Sequence, residues 1–222
     1  MCGITPEVKA SGNVKTMMDA KMKGMVMAAM SALCLVLGIM GAMGNTWLVP
    51  EEEEEGMDGG AGLTSYWAEA DAGDAATCDM MADMMEDEAN AECDGSMLTM
   101  TMSFSDECDA EGEDYEEACD MATGGMIGTI GMWAGVICAL LITLTMVLPM
   151  AGVDAMDAVP EMATKVATWG AGALMLVGML GWYMMLPDGG DSVLGTSGWM
   201  AGAAMSMGLG SALIGQFIEA EE

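Results

Sequence analysis

Four cysteines in one acidic stretch of the chain are the residues best able to do chemistry. They are Cys78, Cys93, Cys108 and Cys119, and all lie between two long apolar segments. Outside the cytoplasm, cysteines of a small domain pair as structural disulfides, and four cysteines allow three pairings. We therefore expect two disulfides in this stretch, with the pairing left open.

Clustered carboxylates in the same stretch are candidate ligands for calcium, a hard cation that prefers oxygen. Residues 90–95 (NAECDG) and 107–112 (ECDAEG) both resemble the start of an EF-hand loop. The twelfth position of such a loop supplies a bidentate Glu, but here it is Thr101 in one segment and Ala118 in the other. A specific calcium site is therefore disfavoured, and only weak divalent-cation binding by the acidic loop stays open.

The methionines of residues 80–85 (MMADMM) offer thioether ligands of the kind that selects Cu(I). The chain has 31 methionines, however, and they occur in apolar and acidic segments alike. We interpret this cluster as an apolar helix face in which Met takes the place of Leu. No cofactor and no metal site is predicted, although Ca²⁺ or Cu⁺ binding and delivery is kept as an alternative function.

The composition argues against catalysis and against nucleic acid as a partner. The chain has no His, and we find no catalytic motif in a suitable context, so we predict a protein that is not an enzyme. Its 5 basic and 35 acidic residues give a net charge of -30, which disfavours phosphate contacts. The same net charge argues against attraction to anionic lipid headgroups.

Four long apolar segments flank the acidic stretch and must position it. They cover residues 24–49, 122–150, 166–186 and 193–218, and none contains Asp, Glu, Lys or Arg. A helix needs about 20 apolar residues to cross a bilayer. The fold class predicted is an all-α membrane bundle of four transmembrane helices, with a small disulfide-stapled α+β domain at residues 50–121 between spans 1 and 2.

Small residues within the spans indicate how the helices pack. In lipid, helices associate through close contact, and glycine spacings such as GxxxG mark the contact faces. We predict packing at Gly124, Gly128, Gly131, Gly135, Gly198 and Gly202. A compact bundle is favoured over a homodimer motif.

The lysines set the predicted orientation, because basic residues concentrate on the cytoplasmic side. Four of them precede the first span, and Lys165 precedes the third. Residues 1–23, 151–165 and 219–222 are therefore predicted to be cytoplasmic in a multi-pass protein of the cell membrane. Residues 50–121 and the short loop 187–192 are predicted to lie outside.

The acidic loop carries patterns of a folded domain. Residues 62–67 (GLTSYW) predict a strand, residues 74–90 predict a helix with Cys78, Met81 and Met85 on one face, and residues 98–104 (LTMTMSF) alternate as a half-buried strand does. Ser105 marks a predicted helix start. The glutamates at 51–55 form a like-charge block that we expect to stay solvated.

Six residues of the loop region occur in an order that a known family shares. They are Trp47, Gly62, Leu63, Trp67, Cys78 and Cys93. The order resembles the W…GLW…C…C signature of the claudin and peripheral-myelin-protein-like tetraspan superfamily, although three residues here separate GL from W. The resemblance implies four spans, a small antiparallel sheet in the first outer loop and a Cys78–Cys93 bridge.

The predicted function is that of a non-enzymatic, claudin-like tetraspan protein whose outer domain mediates protein–protein or cell-surface contacts. Its partners are then the lipid bilayer and other membrane or surface proteins. One alternative is an accessory subunit of a larger membrane complex that docks through its glycine-rich faces. The other is the cation-binding protein described above.

Overall fold

A computed structural model describes residues 18–51, 57–85, 89–109, 116–150, 152, 160–187, 192–218 and 220–221. Its helices are α1 (Ala20–Met43), α2 (Ala75–Met85), α3 (Phe104–Asp109), α4 (Glu116–Met150), α5 (Glu161–Tyr183) and α6 (Thr196–Phe217). Its strands are β1 (Met18–Asp19), β2 (Leu48–Pro50), β3 (Met57–Ala61), β4 (Ser65–Asp71), β5 (Asn90–Asp94), β6 (Met97–Ser103), β7 (Ser192–Leu194) and β8 (Ala220–Glu221).

Three of the described helices are long and apolar enough to cross a membrane. Their apolar parts run over Lys21–Met43, Glu117–Pro149 and Met162–Tyr183, in α1, α4 and α5. Helix α6 has 22 residues without a charge but is not among the three. Its glycines, its serines and Gln216 contribute little hydropathy. The membrane character predicted from the sequence is confirmed for three helices.

The helix ends differ from the predicted spans on the side where the chain enters the sheet. Helix α1 ends at Met43 rather than at residue 49, because Gly44 adopts an extended conformation and Leu48–Pro50 forms β2. The fourth predicted span likewise begins inside β7, and helix α6 starts only at Thr196. Apolar residues continue through both junctions, so hydropathy does not reveal where helix gives way to strand.

The four long helices pack side by side as antiparallel neighbours. The pairs in contact are α1 with α4, α4 with α5, α5 with α6 and α6 with α1. The core between them includes Cys34, Met132, Met175 and Ala204, each with no exposed surface. Between α1 and α6, the buried hydroxyls of Ser31 and Ser211 lie 3.2 Å apart and form a hydrogen bond.

Glycines permit the closest approaches between these helices. A Cβ built on Gly131 of α4 would lie 2.5 Å from the Cα of Gly178 of α5, and one on Gly135 would lie 2.8 Å from a carbonyl oxygen of α5. Built on Gly124 or Gly128, a Cβ would meet side chains near the end of α5, whereas on Gly202 it would find its nearest atom at 3.9 Å. The α4 glycines therefore face other helices of the same chain.

The second layer is a six-stranded sheet with the strand order β5-β6-β4-β3-β2-β7, in which every neighbouring pair is antiparallel. Strand β7 comes from the short connection between α5 and α6, so two connections that are far apart in sequence build one sheet. Residue 192 was predicted to be loop and residues 193–194 helix. Both expectations were wrong, because residues 192–194 pair with Leu48–Pro50 as a strand. No local sequence pattern reveals this pairing.

Most elements predicted inside the acidic loop are present. Strand β4 is shifted toward the C-terminus of the predicted 62–67 segment, because Gly62 to Thr64 form a turn closed by the Gly62 N–H and the Ser65 carbonyl, 2.7 Å apart. Helix α2 is described as far as Met85, and Asn90, predicted to be helical, begins β5 instead. Strand β6 matches the predicted 98–104 strand closely. Glutamates 52–55 lie outside the described residues.

The two ends of the bundle differ in chemistry. The sheet end is where α1 and α5 finish and α4 and α6 begin. At the opposite end, which we name the lysine end, lie Lys21, Lys23 and Lys165. There the Lys23 ammonium donates hydrogen bonds to the carbonyls of Gly215 and Ile218, where α6 finishes.

Candidate interaction surface

The strand register gives the sheet one apolar face. Side chains alternate along a strand, and residues paired across strands share a face. Tyr66, Ala68 and Ala70 of β4 are paired with Met102, Met100 and Leu98 of β6. Met100 and Leu98 are paired in turn with Ala91 and Cys93 of β5. Helix α2, Phe104 and the outer ends of the bundle helices cover parts of this face, and Leu98 has no exposed surface.

The opposite face, which we name the acidic face, carries carboxylates and hydroxyls. One cross-strand row joins Asp58, Glu69, Thr99 and Glu92, and a second row joins Trp67, Thr101 and Asn90. Asp71 and Asp94 flank Met97 in a third row. Along β5 the exposed residues are Asn90, Glu92 and Asp94, whereas the two between them are half-buried. The carboxylates of this strand therefore point to solvent.

No cation of the chain lies near this face in sequence. The chain has no Lys or Arg between Lys23 and Lys165, and both of these lie at the lysine end. Like charges across adjacent strands repel and destabilise a sheet. The interposed Thr99 separates Glu69 from Glu92 and reduces that repulsion. Among the described residues, the acidic face is thus a negative surface with no lysine beside it.

Three ionisable groups of this domain have shifted pKa values with structural causes. The pKa of Asp71 is lowered mainly by the Gly73 N–H, which donates to its carboxylate at 2.9 Å. The pKa of Asp74 is lowered because Thr77 donates to it through both N–H and hydroxyl, which caps the start of α2. Burial, with a smaller contribution from Glu107, raises the pKa of Tyr66. These shifts report turns and packing rather than a catalytic group.

The two disulfides expected from the sequence are present, and their pairing is now defined. Cys78 of α2 is bonded to Cys93 of β5, and Cys108 of α3 to Cys119 of α4. The first bridge fastens α2 to the sheet. The second fastens the end of the sheet domain to the start of a membrane-spanning helix. Such bridges stabilise domains whose cores are thin.

A buried tryptophan joins the sheet to the bundle. Trp47 has no exposed surface, and its indole N–H donates to the Gly41 carbonyl at 2.9 Å. Its ring meets Trp182 of α5 edge-on with centroids 4.9 Å apart. Its backbone N–H and C=O bond Ala61 of β3 and Gly195 before α6. One residue therefore contacts α1, α5, the sheet and the start of α6.

The other members of the predicted signature lie around this junction. Leu63 is 4% exposed and packs into α4 at Gly125 and Gly128, where a Cβ could not be added without displacing it. Gly62 lies against Asn45. On the acidic face, the indole N–H of Trp67 donates to the Asn45 carbonyl at 3.0 Å. The structure thus brings the tryptophans, the turn and the Cys78–Cys93 bridge together on one sheet.

The candidate metal segments have other structures. Residues 90–94 form β5, and Gly95, with φ of 67°, turns the chain into β6, so this segment is a hairpin and not an EF-hand loop. The second segment lies partly outside the described residues. In the described part of the chain, no three Cys, Asp or Glu side chains converge in a way that could hold a metal ion. Met81 and Met85 are half-buried, whereas Met80 and Met84 are exposed.

A cavity of about 800 Å³ lies between the β2–β7 edge of the sheet and the outer ends of α4 and α5. Its walls include Leu48, Met121, Trp182, Leu186 and Leu194. They are apolar, and among the described lining residues Tyr183 is the only one with an ionisable side chain.

The fold and this surface define a class: a helical membrane protein that carries a disulfide-stapled antiparallel sheet at one end of its bundle. Comparison with known families finds no family model that matches the chain, and no curated protein has significant sequence similarity to it. The function must therefore be inferred from the chain's own geometry.

The acidic face was not identified from the sequence. Alternation in residues 98–104 indicated which side of β6 is apolar, but the acids belong to β3, β4 and β5. Strand β5 has the sequence NAECD, in which Ala91 and Cys93 alternate with polar residues. This alternation is typical of a strand with one covered face.

Proposed function

We propose that the chain is a four-span, claudin-like membrane protein without enzymatic activity, and that its acidic face binds positively charged partner proteins outside the cell. The strand register is the single observation that supports the binding role. It collects carboxylates from β3, β4 and β5 on one solvent-facing side and leaves them without a basic residue nearby.

The inclusion of α6 as the fourth span is supported by its contacts with the three apolar helices. It has 22 residues, about 33 Å at 1.5 Å per residue, which is enough to cross the hydrocarbon core. Ser211 bonds Ser31 of α1 inside the bundle. At the sheet end, the Ser197 N–H donates to the Thr46 carbonyl, so α6 begins level with the end of α1.

The proposed orientation, with the sheet outside and both termini in the cytoplasm, is supported by the distribution of charge. The described lysines all lie at the end of the bundle opposite the sheet, as the positive-inside rule requires of a cytoplasmic side. Lys9 and Lys15 lie outside the described residues. An oxidising environment at the sheet end also agrees with two disulfides there.

The claudin-like relationship is supported by the arrangement of the signature residues. Trp47 lies directly before the first strand of the sheet, Trp67 lies on β4, and one disulfide joins Cys78 to Cys93. The second outer connection adds β7 to the same sheet. Helix α2 between the two cysteines and the additional Cys108–Cys119 bridge are departures from the family pattern.

The contacts favour the acidic face over the glycine faces as the docking surface. The glycines of α4 contact α5 or Leu63 of the same chain, so few remain to receive another subunit. On the acidic face, Trp67 offers an aromatic group beside hydroxyls and carboxylates, a combination suited to a basic protein surface. Charge complementarity of this kind raises association rates and selects partners.

Photo-crosslinking in native membranes tests this proposal. A crosslinking residue replaces Thr101 on the acidic face, and a matched one replaces Asp83 on the exposed side of α2. We expect discrete protein adducts from position 101 that weaken as salt is raised. Adducts from position 83 alone, or only uncrosslinked monomers, would count against the proposal.

Charge removal provides the quantitative test. The double variant Glu69→Gln, Glu92→Gln removes two carboxylates from one row of the acidic face, and Asp79→Asn, Asp83→Asn removes two from α2 as the control. Exposed ion pairs contribute about 0.2–1 kcal/mol each, so we expect binding of the crosslinked partner to weaken by about 2- to 30-fold. Equal losses in both variants would indicate a general charge effect rather than a site.

A further inference from the structure

Strand β5 is an open edge of the sheet. It pairs with β6 on one side, and among the described residues no strand pairs with it on the other. Asp94 and Met97 flank the two-residue turn between β5 and β6, which makes them a hydrogen-bonded pair of the ladder. Because hydrogen-bonded and non-hydrogen-bonded pairs alternate in an antiparallel ladder, the N–H and C=O groups of Ala91 and Cys93 point away from β6. Four backbone groups of β5 are therefore oriented toward a further strand.

The side chains of this edge divide between the two faces of the sheet. Glu92 and Asp94 are exposed on the acidic face, whereas Ala91 and Cys93 are half-buried on the apolar face, where a disulfide to Cys78 holds α2. Residues paired across strands share a face. A strand added beside β5 therefore places every second side chain next to the carboxylates and the others next to Ala91 and the disulfide.

The charge of the edge determines which strand fits there. Two copies of the chain joined at β5 would bring Glu92 and Asp94 of one copy against the same residues of the other. Like charges directly opposite each other destabilise a sheet, and charged edge strands protect proteins against self-association of this kind. A strand with basic residues on the acidic face instead forms opposite-charge pairs with both carboxylates. The edge thus disfavours a second copy and favours a basic partner.

We propose that the β5 edge binds an extended segment of a partner protein that carries Lys or Arg at every second position, and that this segment becomes the seventh strand of the sheet. The inference rests on the proposed function, because it names the part of the partner that the acidic face selects. Main-chain hydrogen bonds to Ala91 and Cys93 provide affinity, and the pairs with Glu92 and Asp94 provide selectivity, as in other cases of strand addition.

Hydrogen exchange of the full-length protein in detergent tests this binding mode. The probe is the capped heptapeptide KVKVKVK, which alternates basic and β-branched residues. With the peptide bound, we expect slower exchange at the amides of Ala91 and Cys93. The amides of Asn90, Glu92 and Asp94 already bond β6 and should change little. Unchanged exchange at Ala91 and Cys93 in the presence of bound peptide would overturn strand addition, but it would leave binding by the acidic face intact.

Two double variants separate the edge from the face. Adjacent strands lie about 4.8 Å apart, so an added strand lies about 14 Å from β4 and about 19 Å from β3, beyond the screening length of about 8 Å. Glu92→Gln with Asp94→Asn removes two cross-strand pairs and should weaken peptide binding by about 2- to 30-fold. Asp58→Asn with Glu69→Gln removes two carboxylates of the same face on β3 and β4 and should weaken it less than twofold. Equal losses would indicate docking on the face and would overturn the proposal.

Two modified peptides test the main-chain hydrogen bonds. N-methylation of all valines, or of all lysines, removes the N–H donors from one edge of the extended peptide and leaves the other edge intact. A strand bonds β5 through one edge only, so one methylated peptide should lose binding and the other should retain it. Equal affinities of the two would overturn strand addition. Absence of binding by the unmodified peptide at low salt would also overturn it, and crosslinking at position 101 would still test the acidic face.

Discussion

The contact between α5 and α6 depends on two glycines, and it offers a direct test of whether α6 belongs to the membrane bundle. A Cβ built on Gly172 would lie 2.5 Å from the backbone nitrogen of Leu209 and 2.9 Å from the Met205 carbonyl oxygen. A Cβ built on Gly208 would lie 2.8 Å from the backbone nitrogen of Gly172. Because these neighbours are backbone atoms, no side-chain rotation can relieve the clash.

The variant Gly172→Ala must therefore push the two helices apart. Overpacking of this kind costs about 1–3 kcal/mol, and the higher helix propensity of Ala offsets about 0.5–1 kcal/mol of it. With backbone atoms as the obstacle we expect the upper part of that range, a net destabilisation of about 1–2 kcal/mol. Gly202→Ala on α6 is the matched control, because its nearest neighbour would be a methionine methyl at 3.9 Å. That variant should gain about 0.5–1 kcal/mol.

Thermal unfolding of the two variants in detergent, followed by tryptophan fluorescence, measures the difference. We expect opposite signs: a lower midpoint for Gly172→Ala and an equal or higher one for Gly202→Ala. If Gly172→Ala were as stable as the unmodified protein, α5 and α6 would not be in contact, and α6 would have to lie elsewhere.

Three further predictions concern the sheet domain. Trp47→Phe removes the hydrogen-bond donor to a buried carbonyl of α1 and should lower the free energy of unfolding by about 1–3 kcal/mol. Trp67→Phe on the acidic face should lower it less. Equal effects of the two variants on the unfolding midpoint would contradict this prediction. Replacing both cysteines of the Cys78–Cys93 bridge, which lie 15 residues apart, should lower the free energy of unfolding in urea by about 3 kcal/mol, and a loss below about 1 kcal/mol would argue that α2 is held by packing alone. The hydrogen bonds from Thr77 lower the pKa of Asp74, so this cap is fully formed above the ordinary pKa of 3.8 and is lost as pH falls through the folded-state pKa. Hydrogen exchange at the Thr77 amide should therefore rise in that pH range. In the control Asp74→Asn it should not rise if the amide oxygen of Asn still caps the helix.

Local sequence patterns predicted those helices and strands whose apolar pattern reflects the burial that forms them. Three apolar segments became membrane-length helices because an apolar run of that length has no other place to be buried. Residues 98–104 became β6 because strict alternation suits a strand with one covered face. The periodicity of Cys78, Met81 and Met85 predicted α2 because these residues form the covered side of that helix, whose first turn Asp74 caps at the Thr77 N–H.

The sheet as a whole could not be predicted in this way, because long-range pairing builds it. Leu48–Pro50 and Ser192–Leu194 are only three residues each, and both look like the ends of apolar spans. They become strands because α1 and α6 lie side by side and bring these segments together. The acidic face has the same origin, since its carboxylates become neighbours only when three strands align. The start of an EF-hand loop that residues 90–95 resemble is likewise a matter of composition alone, since residues 90–94 pair with β6 as a strand.

The net charge of the chain does not describe each end of the bundle separately. A value of -30 argues against any anionic ligand if the charge is treated as uniform. The acidic face and the lysine end are, however, separated by the length of the bundle, about 33 Å for the 22 residues of α6. Screening at physiological salt acts over about 8 Å, so neither exposed surface responds to the other. The proposed binding of cationic proteins by the acidic face must therefore be judged from the carboxylates of that face and not from the net charge of the chain.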